Sequence, residues 1–156
     1  MSLNDRLIAH EGIRYEPYRD SKGYWTVGVG HLISTNTAMT LKEAAVLVGA
    51  PWDREKCLAV LEQDKAHCVE QLSRSLPWFT GLAQNHQDVL VELAFNLGFG
   101  GLLGFHKMLG CFEKGDWEGA VQQLLYRNPP DPTPSQWATE VGAGRTQDIV
   151  NLIIES

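Results

Sequence analysis

Glu11, Asp20 and Thr26 are the residues whose types and order carry usable chemistry. Glu11 closes a predicted helix, Asp20 lies in the hairpin turn that follows, and Thr26 lies on the next strand, so that three polar groups can converge on one cleft. Cleaving a glycosidic bond needs a protonated acid on the leaving oxygen and a second carboxylate that either activates water or attacks directly. The trio is sufficient for that chemistry. Its spacing alone is not specific, because a solvated Glu at a helix end and a turn-forming Asp nine residues later are common. Gly28 and Gly30 resemble a phosphate loop only superficially: they lie in a strand-prone run with no following helix and no Lys-Ser/Thr. Close backbone approach is the expected reason for both.

The elements that must position this trio follow from periodicity. Leu3, Leu7 and Ile8 recur at helical spacing, which predicts a helix over 2–11 with Ser2 as its cap and Gly12 as its stop. From Ile13 the period changes. Tyr15, Pro17 and Tyr18, then the run from Tyr24 to Ile33, are strand-prone and are punctuated by Asp20-Ser21-Lys22-Gly23, which predicts a small antiparallel sheet with a tight turn. Thr40-Leu41-Lys42-Glu43 is a capping box for a short helix ending at Gly49. Asp53 can cap a long helix that keeps its spacing until Pro77. Beyond it, Gln84 to Leu97, Leu102 to Lys114, Trp117 to Tyr126 and Gly144 to Ile154 read as helices, and Asn128 to Pro134 as a rigid loop rather than a linker. The expected fold class is α+β and mostly α: a small N-terminal lobe with a short antiparallel sheet, a long connecting helix and a helical C-terminal lobe.

Composition narrows the function. Apolar residues are 44% and charged residues 21% of the 156, values of a globular chain that folds in water. Net charge is −6, with 9 basic and 10 acidic residues over 1–78 but 4 and 9 over 79–156. That balance argues against a phosphate-backbone partner, which needs a basic stripe to displace counterions, so no nucleic acid is expected. No run approaches a membrane span, and Asn4, Asp5, Arg6, His10 and Glu11 break up the beginning of the chain, so neither a signal peptide nor a membrane anchor is expected. Cys57, Cys68 and Cys111 are odd in number and form no ligand-like cluster, so buried apolar filling is expected, with no metal and no cofactor. Trp52, Trp78, Trp117 and Trp137 are expected in the core.

What overcomes the weakness of the spacing is the literal string Glu11-Gly12-Ile13-Arg14-Tyr15-Glu16-Pro17-Tyr18-Arg19-Asp20-Ser21-Lys22-Gly23-Tyr24-Trp25-Thr26-Val27-Gly28-Val29-Gly30-His31. It closely resembles the active-site segment of the phage-type lysozymes, through E-G followed by R, then Y-x-D, G-Y-x-T and G-x-G-H. Weaker likeness continues through Phe95-Asn96-Leu97-Gly98, Gly104-Phe105, Gly115-Asp116-Trp117, Trp137 and Gly144-Arg145. The resemblance implies a muramidase that cleaves bacterial peptidoglycan with Glu11 as general acid and with Asp20 and Thr26 positioning the attacking water, inverting the anomeric centre. It implies a single catalytic domain over 1–156, with an N-terminal lobe at about 13–52, a connecting helix at about 53–76 and a helical lobe at about 77–156 on which helix 2–11 packs. Gly30, Leu32, Phe95 and Asn96 would fall along the sugar cleft, with Tyr18, Tyr24 and Trp25 near it. His31 would be structural, facing the carboxylate of Asp64. Arg145 would stand beside Glu11 or tie the lobes together. A monomer is expected, since a cleft enzyme needs an open face. The expected origin is a phage or prophage, with the protein accumulating in the host cytoplasm, or carried on the virion, before it reaches the wall.

Overall fold

The computed structural model describes residues 1–155, and the chain divides into two compact units, Met1–Val69 and the remainder from Glu70. In the first unit, α1 (Leu3–Glu11) opens on a reciprocal cap, in which Ser2 Oγ accepts from the Asp5 amide and the Asp5 carboxylate accepts from the Ser2 amide, both at 3.1 Å. Those bonds from Ser2 hold the Asp5 carboxyl below its usual range. Asn4 ties α1 to the long helix α3 (Arg54–Ser75), donating to Glu62 at 2.7 Å and accepting from Lys65. Gly12 ends α1 with φ 76°, a conformation that costs glycine little and other residues more.

Between α1 and α3 lies a three-stranded antiparallel sheet, β1 (Arg14–Arg19), β2 (Trp25–Gly28) and β3 (His31–Ser34), in sequential order. The strand-prone run from Tyr24 to Ile33 is therefore two strands, not one. Gly28 and Gly30 have φ of 66° and 67°, which turns the chain at Val29 and folds β3 back on β2. Pairing of Tyr18 with Thr26, and of Thr26 with Leu32, sets these three side chains in a row on one face. Val27 and His31 pair on the other face, where Val27 packs with Trp52 and Cys57 and is flanked by Ile13, Ile33, Val48 and Val60. The capping box of Thr40 and Glu43 starts α2 (Leu41–Val48), and Gly49 ends it in the left-handed conformation. Asp53 Oδ1 accepts from the Lys56 amide at 2.7 Å at the start of α3, whose 22 residues span about 33 Å. The boundary between the two units falls within α3.

The second unit is helical: α4 (Gln84–Leu103), α5 (His106–Lys114), α6 (Trp117–Leu125) and α7 (Gln136–Ile154), preceded by one turn of 3₁₀ helix at Phe79–Gly81. Gly98 (φ 76°) breaks α4 just after Leu97, where the sequence predicts a helix end, but the helix resumes at once and α5 starts only at His106. Helix α7 starts earlier than predicted, because Ser135 caps it by accepting from the Ala138 amide at 3.1 Å, and Gly142 then interrupts it. The proline-rich segment before it is a closed loop. The Arg127 amide donates to Thr133 at 3.0 Å, the Ser135 amide donates to Leu125 at 2.7 Å, and Tyr126 bridges to Pro134. Asn85 and His86 on α4 bind the carbonyls of Leu152 and Ile153 at the end of α7 and of Glu155 just beyond it, and His86 stacks on Trp117 with ring centres 3.7 Å apart.

Trp52 and Trp137 lie in the core, while Trp78 and Trp117 are half-buried. The three cysteines are free; Cys57 and Cys68 are buried and Cys111 is half-buried. Burial pushes all three thiols up, Cys68 to about 11. No single helix among the described residues is long and apolar enough to cross a membrane.

Candidate active site

Glu11 is the last residue of α1, and the break at Gly12 releases the chain toward β1 directly behind it. The turn between β2 and β3 passes over the Glu11 side chain. A methyl group built on Gly30 would lie 3.4 Å from both Cγ and Oε2 of Glu11 and 3.5 Å from its Cβ. Gly28 is pressed in the same way against the Trp52 ring, at 3.0 Å. Both glycines thus serve close approach as well as the turn. Gly30→Ala would force a side chain into positive φ and crowd the carboxylate, so the expected result is a loss of about 1–2 kcal/mol of stability together with reduced activity. Thermal unfolding and a wall-clearing assay would check it.

Asp20 and Thr26 are fixed by the main chain of Tyr24. Asp20 Oδ1 accepts from the amides of Lys22 at 2.8 Å and Tyr24 at 2.9 Å, a short turn closed by the carboxylate itself. The Tyr24 carbonyl oxygen accepts from the Asp20 amide at 2.8 Å and from Thr26 Oγ1 at 3.2 Å. Aspartate and threonine are thereby held through the main chain of one residue. Asp20 Oδ2 has no hydrogen-bond partner among the described residues. Thr26 is only 5% exposed, while Leu32, beside it in the cross-strand row, is 50% exposed. Half-buried Tyr18 completes the row, and burial followed by the negative charges of Glu11 and Asp20 raises its phenol above the usual value against the pull of Arg14. Trp25, by contrast, is buried with its indole N–H on the Met39 carbonyl at 2.7 Å, which leaves little ring for a sugar to stack on.

His31 Nδ1 lies 2.8 Å from Asp64 Oδ2 on α3, and its ring is tilted against Trp52 with centres 5.8 Å apart. The bond orients a half-buried imidazole and anchors β3 to the helix.

In the second unit Asn96 lies in the last turn of α4 before the Gly98 break, next to half-buried Phe95. Its Oδ1 accepts from the Trp137 indole at 2.9 Å, which assigns the amide orientation and turns its N–H₂ group elsewhere. Arg145 Nε faces Glu92 Oε1 at 3.9 Å, with side chains 12% and 0% exposed. Glu92 is a residue that the sequence reading missed. The available signal was a single charge inside the apolar stretch Val89-Leu90-Val91-Glu92-Leu93-Ala94. No group of His, Cys, Asp and Glu among the described residues could hold a metal ion.

A terminal helix, a short antiparallel sheet and a long helix, followed by a wholly helical unit, make the α+β fold class of the lysozymes. The family model described as phage lysozyme matches residues 8–129. The chain belongs to the phage lysozyme family. Over 136 residues it is 30% identical to the pre-baseplate central spike protein Gp5 of Enterobacteria phage T4, a match covering 78% of this chain and 24% of that protein. It is 27% identical over 150 residues to the probable T4-type lysozyme 2 of Dictyostelium discoideum, covering 86% and 88% of the two chains. With the SAR-endolysin of Enterobacteria phage P21 it shares 30% identity over 123 residues, 79% of this chain and 65% of that one. Family membership supports a glycosidase-type, peptidoglycan-lysing function, and the phage relatives support a phage origin.

Proposed function

We propose that this chain is a muramidase that hydrolyses the β-1,4 bond between N-acetylmuramic acid and N-acetylglucosamine in bacterial peptidoglycan, with inversion. Glu11 is the general acid that protonates the bridging oxygen, and Asp20 and Thr26 hold and activate the water. The observation that carries this reading is the division of labour on Asp20. One of its oxygens is locked by two backbone amides, and the other has no partner among the described residues. Thr26 Oγ1 is tied to the carbonyl of Tyr24, the residue whose amide holds Asp20 Oδ1. A general base held rigidly through one oxygen and open at the other is what water activation needs. Gly30 and Leu32 in the first unit, and Phe95 and Asn96 in the second, are proposed as sugar contacts, the Asn96 N–H₂ donating to an N-acetyl carbonyl. His31, Asp64 and Arg145 are proposed as structural supports.

Digestion of purified peptidoglycan, with mass spectrometry and early-time NMR of the released sugars, tests this directly. Reducing muramic ends that appear first as the α anomer are expected. Anhydro-muramic ends would make the enzyme a lytic transglycosylase, the β anomer would make it retaining, and intact peptidoglycan would leave a binding module.

A further inference from the structure

A water molecule that attacks an anomeric carbon has two protons and two lone pairs to place, and the first unit contains groups for all but the lone pair that reacts. Such a water exists only if the chain is the hydrolysing muramidase proposed above. Thr26 Oγ1 donates its only proton to the Tyr24 carbonyl oxygen at 3.2 Å, so toward water it can only accept. Asp20 Oδ2 is also an acceptor. Water held between them gives up both protons to hydrogen bonds and keeps two lone pairs, of which one must face the sugar. The other needs a donor.

Tyr18 meets that need. The strand register sets it directly opposite Thr26, so the two side chains leave the same sheet face with their Cβ atoms about 5 Å apart. Arg14 lies over its ring, 4.7 Å from the centroid, and restrains it from that side. The Tyr18 hydroxyl has no hydrogen-bond partner among the described residues, although the side chain is half-buried. Burial, and after it the negative charges of Glu11 and Asp20, keep that hydroxyl protonated as a donor.

We propose that Tyr18 is a further catalytic residue, donating a hydrogen bond to the attacking water so that its remaining lone pair points at the anomeric carbon. In the step itself the water oxygen bonds to that carbon, and the carbon's bond to the bridging oxygen breaks. The released electron pair stays on the bridging oxygen, which takes the proton of Glu11. The water proton facing Asp20 passes to Oδ2, and Tyr18 keeps its own.

The test is Tyr18→Phe, alone and combined with Thr26→Ala, assayed for kcat and KM on soluble peptidoglycan fragments in long digests and melted alongside wild type. Because the hydroxyl binds no described protein group, the melting temperature is expected to stay unchanged. The kcat is expected to fall roughly tenfold with KM unchanged. In the Thr26→Ala background, where the water is already misplaced, no further loss is expected. Wild-type kcat in Tyr18→Phe, a loss confined to KM, or a full multiplicative loss in the double variant would overturn the proposal. Failure of the muramidase reading looks different: wild type would release no reducing muramic ends, whatever Tyr18→Phe does.

Discussion

Glu11→Gln is expected to lower kcat by roughly 10²–10⁴-fold, the range for removing a general acid, with little change in KM. The substitution keeps shape and hydrogen-bonding reach and removes only the transferable proton. Its effect on stability should be small. Glu11 is the C-terminal residue of α1, where the exposed carbonyl ends of the helix disfavour a negative charge, and Gly30 packs against its carboxylate. A neutral amide of the same shape relieves the first and leaves the packing unchanged, so a melting temperature close to that of wild type is expected. Turbidity clearing and thermal melts on the same preparations would test both expectations. Retained clearing would remove Glu11 from the mechanism.

The second large effect is on folding. Glu92 has a fully buried side chain in the middle of α4 and faces Arg145, itself nearly buried, on α7. Replacing Glu92 with Ala leaves a guanidinium without this counter-charge in a low-dielectric setting, and the expected loss is about 3–5 kcal/mol. For a chain of this size that lowers the melting temperature by roughly 6–20 °C. The paired change Glu92→Leu with Arg145→Leu should recover much of it, because the desolvation of both charges is removed together. Urea denaturation of wild type, Glu92→Ala and the paired variant, with unchanged slopes, would measure the loss and its recovery. An Ala variant as stable as wild type would show that the pair contributes nothing.

The parts of the molecule legible from sequence are those governed by local rules. Ser2, Thr40 and Asp53 are caps because their side chains must satisfy amides within three residues, and Gly12 and Gly49 end helices because few other residues tolerate those angles. The order of Glu11, Asp20 and Thr26 was equally plain, since a literal motif carried it. What sequence left ambiguous depends on contacts made at a distance. Gly28 and Gly30 permit the turn at Val29 but do not announce it in a run of strand-prone residues; the distant contacts with Trp52 and Glu11, which leave no room for side chains at positions 28 and 30, appear only in the fold. Ser135 directly follows the proline-rich loop, and the sequence reading starts the last helix only at Gly144. Ser135 starts α7 because its amide and hydroxyl are already engaged with Leu125 and Leu124 on α6. The role of the Tyr24 main chain was invisible for a simpler reason: peptide groups carry no sequence signature.

The unpaired cysteines bear on where such an enzyme can work. A protein that acts on a bacterial wall meets oxidants that would join or sulfoxidise exposed thiolates. Here Cys57, Cys68 and Cys111 are each held toward the unreactive thiol form, two of them by enclosure in the interior. Oxidation at these thiols should therefore be slow, above all at enclosed Cys57 and Cys68.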